Sequence, residues 1–459
     1  MPGSTGEIVE NKLVKLDIID LAFNGKAVAH LDGKVVFLKG GLPGEKVLAE
    51  ITSTKRHYDE AIVKEIIIKS DLRISAPCKH FGICGGCAWQ DLIYNKQLEF
   101  KRKQVADCLE RIGKIADVKL HDIVGAAELF RYRNKMEFSF HVTGDDSFNL
   151  GLHHRGRFDE IFDLEECLLQ SDTANRIVHF IRDFVKRYNI PAYDIINHTG
   201  FMRFLVIREA RRTGQIMVNI VTNKGNIPTR KELIKELRTA FPQVVTLVHN
   251  ETALKSNVAV GEKEHVLFGV GLIEEEILGY RFYIRANSFF QTNSIQTETL
   301  YRAAFDLLMP DKGDRVLDLY CGTGSIGIII SEYVREVIGV ELVADAVSAA
   351  RDNALANGVS NIEFVEGDVK DYLRSDAVGD TPFDIVIVDP PRAGVNPKAL
   401  RRIIRMQPPK ILYISCNPAT FARDAATLFK AGYRLPEVRP IDMFPHTMHI
   451  ELIGVFYRD

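Results

Sequence analysis

The 459-residue chain lacks several features that would narrow its role at once. It has almost no net charge. The 59 Lys and Arg offset 61 Asp and Glu to leave −2, so any surface that attracts nucleic acid has to be local. No uninterrupted apolar run is long enough to span a bilayer, and the opening Met1-Pro-Gly-Ser-Thr-Gly-Glu7 carries no apolar leader core. A cytoplasmic protein with no membrane partner is expected. Cysteine is sparse and odd in number, with three of seven clustered, which in a reducing compartment favours metal binding or catalysis over disulfides. Repeats and low-complexity tracts are missing too. What is present, 46% hydrophobic and 26% charged residues, fits roughly two to four ordinary folded domains.

Five short runs alternate in the manner of strands: 13–19, 26–30, 34–38, 47–51 and 61–68. Asn24-Gly25, Asp32-Gly33 and Gly40-Gly41-Leu42-Pro43-Gly44 separate them as turns. So many strands in so short a span predict a small barrel of the OB type. The run from Phe23-Asn-Gly-Lys through Val35-Val36-Phe37-Leu38 to Leu42-Pro-Gly-Glu-Lys-Val47 resembles the TRAM domain, an RNA-binding barrel joined to RNA-modifying enzymes.

Beyond a cysteine-rich segment, residues 94–112 space Leu98, Val105, Leu109 and Ile112 as one helical face, with Lys101-Arg102-Lys103 expected on the polar side. Residues 123–280 mix strands (135–141, 204–209, 215–221, 244–250) with helices (172–188, 229–240), an α+β pattern. From about 281 the chain turns regular, with β-branched runs at 315–319, 336–340, 362–366, 385–388 and 411–415 separated by helical segments such as 343–357 and 397–406. That alternation predicts a parallel, doubly wound sheet. The expected fold is thus α/β multidomain: an OB-like barrel over 1–70, an α+β central domain with the cysteine cluster over 71–280, and a Rossmann-like domain over 281–459.

In such sheets ligands bind beyond the carboxyl ends of the strands. Asp318-Leu-Tyr320-Cys321-Gly322-Thr-Gly324 supplies a glycine turn at the first of them. Glu341 ends the next strand 17 residues past Gly324, where a carboxylate can accept both hydroxyl hydrogens of a ribose. Asp368 ends the third and Asp389-Pro-Pro-Arg392 the fourth. A glycine turn alone is shared with nicotinamide enzymes; the four strand ends together resemble the class I methyltransferases that use S-adenosylmethionine. In members acting on exocyclic amines an aromatic residue commonly follows the prolines. Arg392 stands there instead.

The next strand ends in Ser415-Cys416-Asn417-Pro418, which puts a thiol beside the Asp389 carboxylate. That pairing suits methylation at carbon 5 of a pyrimidine, a poor nucleophile until a thiolate adds to carbon 6. An ordinary thiol, with a pKa of about 8.5, needs nearby positive charge or donors, for which Arg392 and the Asn417 backbone are candidates. A base must then remove the carbon-5 proton, and Asp442-Met-Phe-Pro-His446-Thr-Met-His449-Ile-Glu451 offers several. At these two stretches the chain resembles the RNA uridine-5-methyltransferases. The resemblance implies Cys416 as nucleophile, Glu451 as proton acceptor, and Gln291, Tyr320, Gly322, Gly324, Ser325, Glu341, Asp368 and Asp389 at the cofactor, with Asp389 also catalytic. Ser325 stands where some relatives carry asparagine. His446 is as readily structural as functional, and Cys321 reads as packing.

Cys78-Lys-His-Phe-Gly-Ile-Cys84-Gly-Gly-Cys87 gathers three thiols with gaps of five and two residues, unlike the three-and-two spacing of radical enzymes. A closed site wants a fourth ligand, and Cys167 is the expected one. Cys108, on a helical face, is expected in the core. The pattern resembles the [4Fe-4S] site of the ribosomal-RNA branch of the family, with zinc as the alternative metal. The resemblance implies RNA rather than DNA as partner, and 23S ribosomal RNA ahead of transfer RNA, because familiar bacterial transfer-RNA members lack barrel and cluster. Basic and aromatic residues interleave at Lys55-Arg-His-Tyr58, Phe130-Arg-Tyr-Arg-Asn-Lys135 and His153-His-Arg-Gly-Arg-Phe158, each a candidate RNA contact. A non-catalytic iron–sulfur RNA-binding protein is the reading from a different class.

Overall fold

A computed structural model of the chain describes residues 12–22, 25–143, 147–157, 159–255, 257–375 and 381–458. Phe23, Asn24 and Phe158, used above, lie outside these. The five expected strands form a closed barrel: Leu13–Leu21, Ala27–Leu31, Lys34–Lys39, Lys46–Thr54 and Tyr58–Ile68. Alternate residues of Leu13–Leu21 face inward, as the period-two pattern requires. The barrel core is completed from outside, by Trp89 and Leu92 of the segment that follows the cysteines, with Met448 packed against it.

The middle of the chain builds a seven-stranded sheet whose centre is Lys135–Val142, Met202–Glu209, Ile216–Thr222 and Val244–Glu251. The helices Asp172–Arg187 and Arg230–Ala240 bury Ile177, Ile181, Leu233 and Leu237 in the cluster on this sheet. The hairpin Leu272–Ile277/Tyr280–Arg285 was not anticipated from sequence.

The third unit is an eight-stranded sheet. Its order runs Ile362–Glu366, Glu336–Glu341, Arg315–Leu319, Ile385–Val388, Lys410–Ser415, Glu451–Tyr457, Glu437–Ile441 and Lys119–Leu120. The first five strands are parallel and Glu451–Tyr457 runs antiparallel beside Lys410–Ser415. These strands are buried on both faces, which explains their nearly continuous β-branched composition. The short strand Lys119–Leu120 joins the far edge, so a piece of the chain's first third completes this sheet.

The helix after the cysteines departs from expectation. It spans Tyr94–Cys108 and closes in a π-turn, Leu109–Gly113, leaving Ile112 exposed. Lys101, assigned to the polar side, is fully buried: its Nζ lies 2.6 Å from Oδ1 of an equally buried Asp442. Tyr94 donates to the other carboxylate oxygen at 2.9 Å, and Lys101 Nζ sits 5.9 Å from the centre of the Trp89 ring. The periodicity was misleading because the partner carboxylate comes from 341 residues further along the chain. Among the described residues no helix is long and apolar enough to cross a membrane.

Candidate active site

Strand order reverses between Arg315–Leu319 and Ile385–Val388, the switch point where doubly wound sheets bind ligands. The turn after the first strand is unusual, since Tyr320 holds φ +65°, a conformation a non-glycine residue keeps only where its surroundings impose it. The two glycines here differ in their surroundings. A Cβ on Gly324 would come within 2.7 Å of the Phe364 ring, whereas one on Gly322 would meet nothing within 4 Å. Both need glycine's freedom at positive φ, 56° at Gly322 and 80° at Gly324; packing constrains Gly324 as well, while Gly322 faces open space.

Glu341 accepts the Gly322 N–H at 3.1 Å on one oxygen and the Val343 N–H at 2.9 Å on the other, and each oxygen keeps capacity for a ligand hydroxyl. Asp368 caps the short helix Val369–Tyr372 through Oδ1, accepting from Lys370 N–H at 2.8 Å. The Ser325 hydroxyl pairs with that of Tyr301 at 2.8 Å. Tyr301 lies on the helix Ser294–Leu308 and was missed in the sequence, where nothing local distinguishes it from a core aromatic. Gln291 precedes this helix, and its carbonyl accepts from Asn134 Nδ2 at 3.0 Å.

The antiparallel register pairs Ser415 with Leu452, so Cys416 and Glu451, one step further on either strand, come level at the ligand-binding edge. Cys416 is partly exposed and Glu451 buried. Burial, then the Glu451 and Asp389 carboxyls, push the Cys416 thiol up to about 11, with Arg392 pulling the other way. Burial and Asp389 also hold the Glu451 carboxyl well above its usual range, again opposed by Arg392. Burial alone lifts Asp389 to about 7, and burial with Asp389 lifts Asp318 to about 8. The site therefore favours protonated forms, and Arg392 is the cation that counters this. Its turn is tied to the thiol's strand end, because Asn417 Nδ2 donates to the Arg392 carbonyl at 3.0 Å. Arg392 Nη2 also lies 3.1 and 3.3 Å from the two ring nitrogens of His449.

Histidines are poor rivals for the base. Burial lowers both His446 and His449 to about 4. His446 holds structure, with its ring 4.4 Å from Phe130 and its carbonyl accepting from the N–H groups of Ala88 and Trp89. Cys321 and Cys108 are buried packing residues.

The raised acid at Asp389 makes a testable statement about stability. A carboxyl whose folded pKa is raised stabilises the fold fully below its ordinary value of about 3.9, and that contribution is lost as pH climbs. The window closes through about 7 for this group. Asp389→Asn should therefore raise Tm at pH 8 while changing it little at pH 4. Calorimetry showing an equal fall at both would contradict the burial argument.

Away from the sheet edge, Cys78, Cys84, Cys87 and Cys167 line one cavity of about 730 Å³. None of the four forms a disulfide, and burial raises three of them: Cys84, Cys87 to about 12 and Cys167 to about 11, with neighbouring cysteines adding to each shift. Among the described residues, however, no group of three or more His, Cys, Asp or Glu is placed so that it could hold a metal ion.

The basic and aromatic stretches divide. Lys55, Arg56 and His57 are exposed at the barrel turn. Within residues 130–135, Tyr132 and Asn134 are buried, whereas Phe130, Arg131, Arg133 and Lys135 keep partial exposure, and three of the six are engaged internally. Arg131 donates to the carbonyls of Cys167 and Gln170, Tyr132 to that of Pro445, and Asn134 to that of Gln291. Arg155, in the third stretch, donates to the Cys87 carbonyl.

A doubly wound sheet with acidic residues at successive strand ends is the architecture of a class I methyltransferase. The family model described as tRNA (Uracil-5-)-methyltransferase matches residues 93–459, and the TRAM domain matches 10–64. An RNA methyltransferase of Caldanaerobacter subterraneus is 38% identical over 98% of both chains, and one of Chlorobaculum tepidum is 38% identical over 97% of this chain and 96% of its own. The chain belongs to the RNA uracil-5-methyltransferase family, whose chemistry uses S-adenosylmethionine. The crystal structure of Pyrococcus abyssi tRNA (uracil-54, C5)-methyltransferase in complex with S-adenosyl-L-homocysteine is 31% identical, with a TM-score of 0.76, covering 96% of this chain and all of that one. Spanning the whole chain, barrel included, does not then by itself separate ribosomal from transfer RNA substrates.

Proposed function

We propose that this enzyme methylates carbon 5 of a specific uridine in 23S ribosomal RNA through a covalent adduct with Cys416. The observation that carries the chemistry is the level pairing of Cys416 with Glu451 at the edge where Asp389 also ends a strand. S-adenosylmethionine, when bound, supplies an electrophilic methyl group. Gly322 and Gly324 shape its turn, Glu341 takes the ribose hydroxyls and Asp368 the adenine amino group, while Gln291, Tyr320, Ser325 and Asp389 line the remainder. The Cys416 thiolate adds to carbon 6 of uracil, and the electron pair passes through the enolate to carbon 5, which would take the methyl as the sulfur–methyl bond breaks and S-adenosylhomocysteine leaves. Glu451 removes the carbon-5 proton; elimination restores the double bond and frees the thiolate. Arg392 favours both the thiolate and the ionised Glu451. The base has to be flipped from its RNA fold to reach them.

The division of labour proposed is a TRAM barrel over 1–70 that holds RNA, a central unit over 71–280, and a catalytic unit over 281–459. Cys78, Cys84, Cys87 and Cys167 are proposed to hold a [4Fe-4S] cluster. Four thiols around one cavity are the number of ligands that a closed [4Fe-4S] cluster takes. Protein purified without oxygen should carry iron and sulfide in equal amounts with iron–sulfur optical and paramagnetic signatures. A single tightly bound zinc without iron would overturn the cluster.

A second reading, a transfer-RNA substrate, is favoured by the full-length likeness to the Pyrococcus enzyme. Mapping 5-methyluridine in a deletion strain separates the two. Loss of a methylated site in 23S ribosomal RNA is expected; loss confined to transfer RNA would replace the first reading with the second.

A further inference from the structure

Residues 130–135 touch both halves of the active site without contributing a group to either. The segment leads into the central strand Lys135–Val142, and its backbone is pinned on both sides. Arg131 holds φ +58°, and its N–H and that of Arg133 donate to Leu168 and Leu169, each at 2.8 Å. The Asn134 N–H donates to the Thr292 carbonyl at 3.0 Å. From this anchored backbone two buried side chains reach in different directions.

Tyr132, 1% exposed, donates its hydroxyl to the Pro445 carbonyl at 3.0 Å. Phe130 stacks on His446 beside it, and Arg133 lies 5.7 Å from the centre of the Phe444 ring. These contacts hold the loop that runs from Asp442 into Glu451. Asn134, 7% exposed, uses its Nδ2 twice, donating to the Gln291 carbonyl at 3.0 Å and to Ser294 Oγ at 2.7 Å. Ser294 in turn donates to the buried Glu275 carboxylate at 2.6 Å. The chain Asn134–Ser294–Glu275 thus fixes the entry to the helix that follows Gln291.

We propose that Tyr132 and Asn134 are positioning residues with separable effects: Tyr132 sets the loop that presents Glu451, and Asn134 sets the Gln291 segment against the cofactor. The inference rests on the roles given above to Glu451 and Gln291. A side chain held by one buried hydrogen bond shifts when that bond is removed, and one such bond corresponds to about a tenfold change in an equilibrium or rate.

The test uses the full-length protein and measures S-adenosylhomocysteine affinity by calorimetry, kcat on RNA, and Tm. Asn134→Asp keeps shape but removes both donors, and should weaken S-adenosylhomocysteine about tenfold or more. Tyr132→Phe removes only the hydroxyl, and should lower kcat about tenfold at unchanged S-adenosylhomocysteine affinity. A purely structural role would instead lower Tm in both variants and leave affinity and kcat of the folded fraction alike; that outcome overturns the proposal. So does wild-type behaviour in both. Gln291→Ala serves as reference. If it loses affinity while Asn134→Asp does not, the positioning role alone fails; if Gln291→Ala binds normally, the cofactor role of Gln291 fails as well.

Discussion

Replacing Cys416 with alanine is expected to abolish methyl transfer, by on the order of a thousandfold or more, while leaving S-adenosylhomocysteine affinity within about twofold. The large effect follows from the chemistry, because carbon 5 of uracil gains its electron density only after a nucleophile adds to carbon 6. The small effect on binding follows from position. The glycine turn, Glu341 and Asp368 sit on the three strands to one side of the switch point, and Cys416 lies on the other side beyond Asp389. Removing a thiol whose pKa the site pushes to about 11 also takes away a neutral group, so no buried charge is uncovered. Single-turnover assays with radiolabelled methyl donor check the first half and calorimetry the second. Residual turnover near the native rate would remove Cys416 as nucleophile.

Glu451→Gln should have the opposite signature, in that a covalent enzyme–RNA species accumulates. The thiolate can still add and the methyl can still arrive, yet the carbon-5 proton has no acceptor and the carbon–sulfur bond cannot break. A band of reduced mobility on denaturing gels is expected with RNA and cofactor together, and it should vanish when Cys416→Ala is added. The substitution suits the site, since burial and Asp389 already favour a neutral side chain at Glu451. Normal turnover without an adduct would move the base elsewhere.

That these two residues lie near the strand ends was legible in the sequence, and other placements were not, for a physical reason. Strand ends in a parallel sheet carry local signals, so Asp389-Pro-Pro and Cys416-Asn-Pro could be read from a few neighbours, and the strands Arg315–Leu319, Ile362–Glu366 and Ile385–Val388 match their expected bounds. Lys101 reads locally as a surface lysine; only a carboxylate from the last strand crossing makes it a core residue. In residues 130–135 the internal partners were hidden from the sequence in the same way. Arg131, Tyr132 and Asn134 donate to the carbonyls of Cys167, Pro445 and Gln291, none of them a neighbour in the chain. Periodicity reports which face of an element is apolar and is silent about polar partners brought in by the fold.

The barrel is bound to the rest of the molecule more tightly than an RNA-catching appendage needs to be. Trp89 and Leu92 fill its interior from outside, and a Cβ on Gly25 would lie 3.8 Å from both Trp89 Nε1 and Met448 Cβ. The catalytic loop therefore meets barrel surface two residues before Ile450 leads into Glu451. Cutting the chain near residue 70 would strand Trp89, Leu92 and Met448 in water, so a truncated enzyme would be a sticky fragment rather than a slower catalyst. Were the barrel to hold RNA as proposed, these contacts would set the span between the grip and the proposed nucleophile, and substrate choice would turn on which folded RNA has a uridine at that distance.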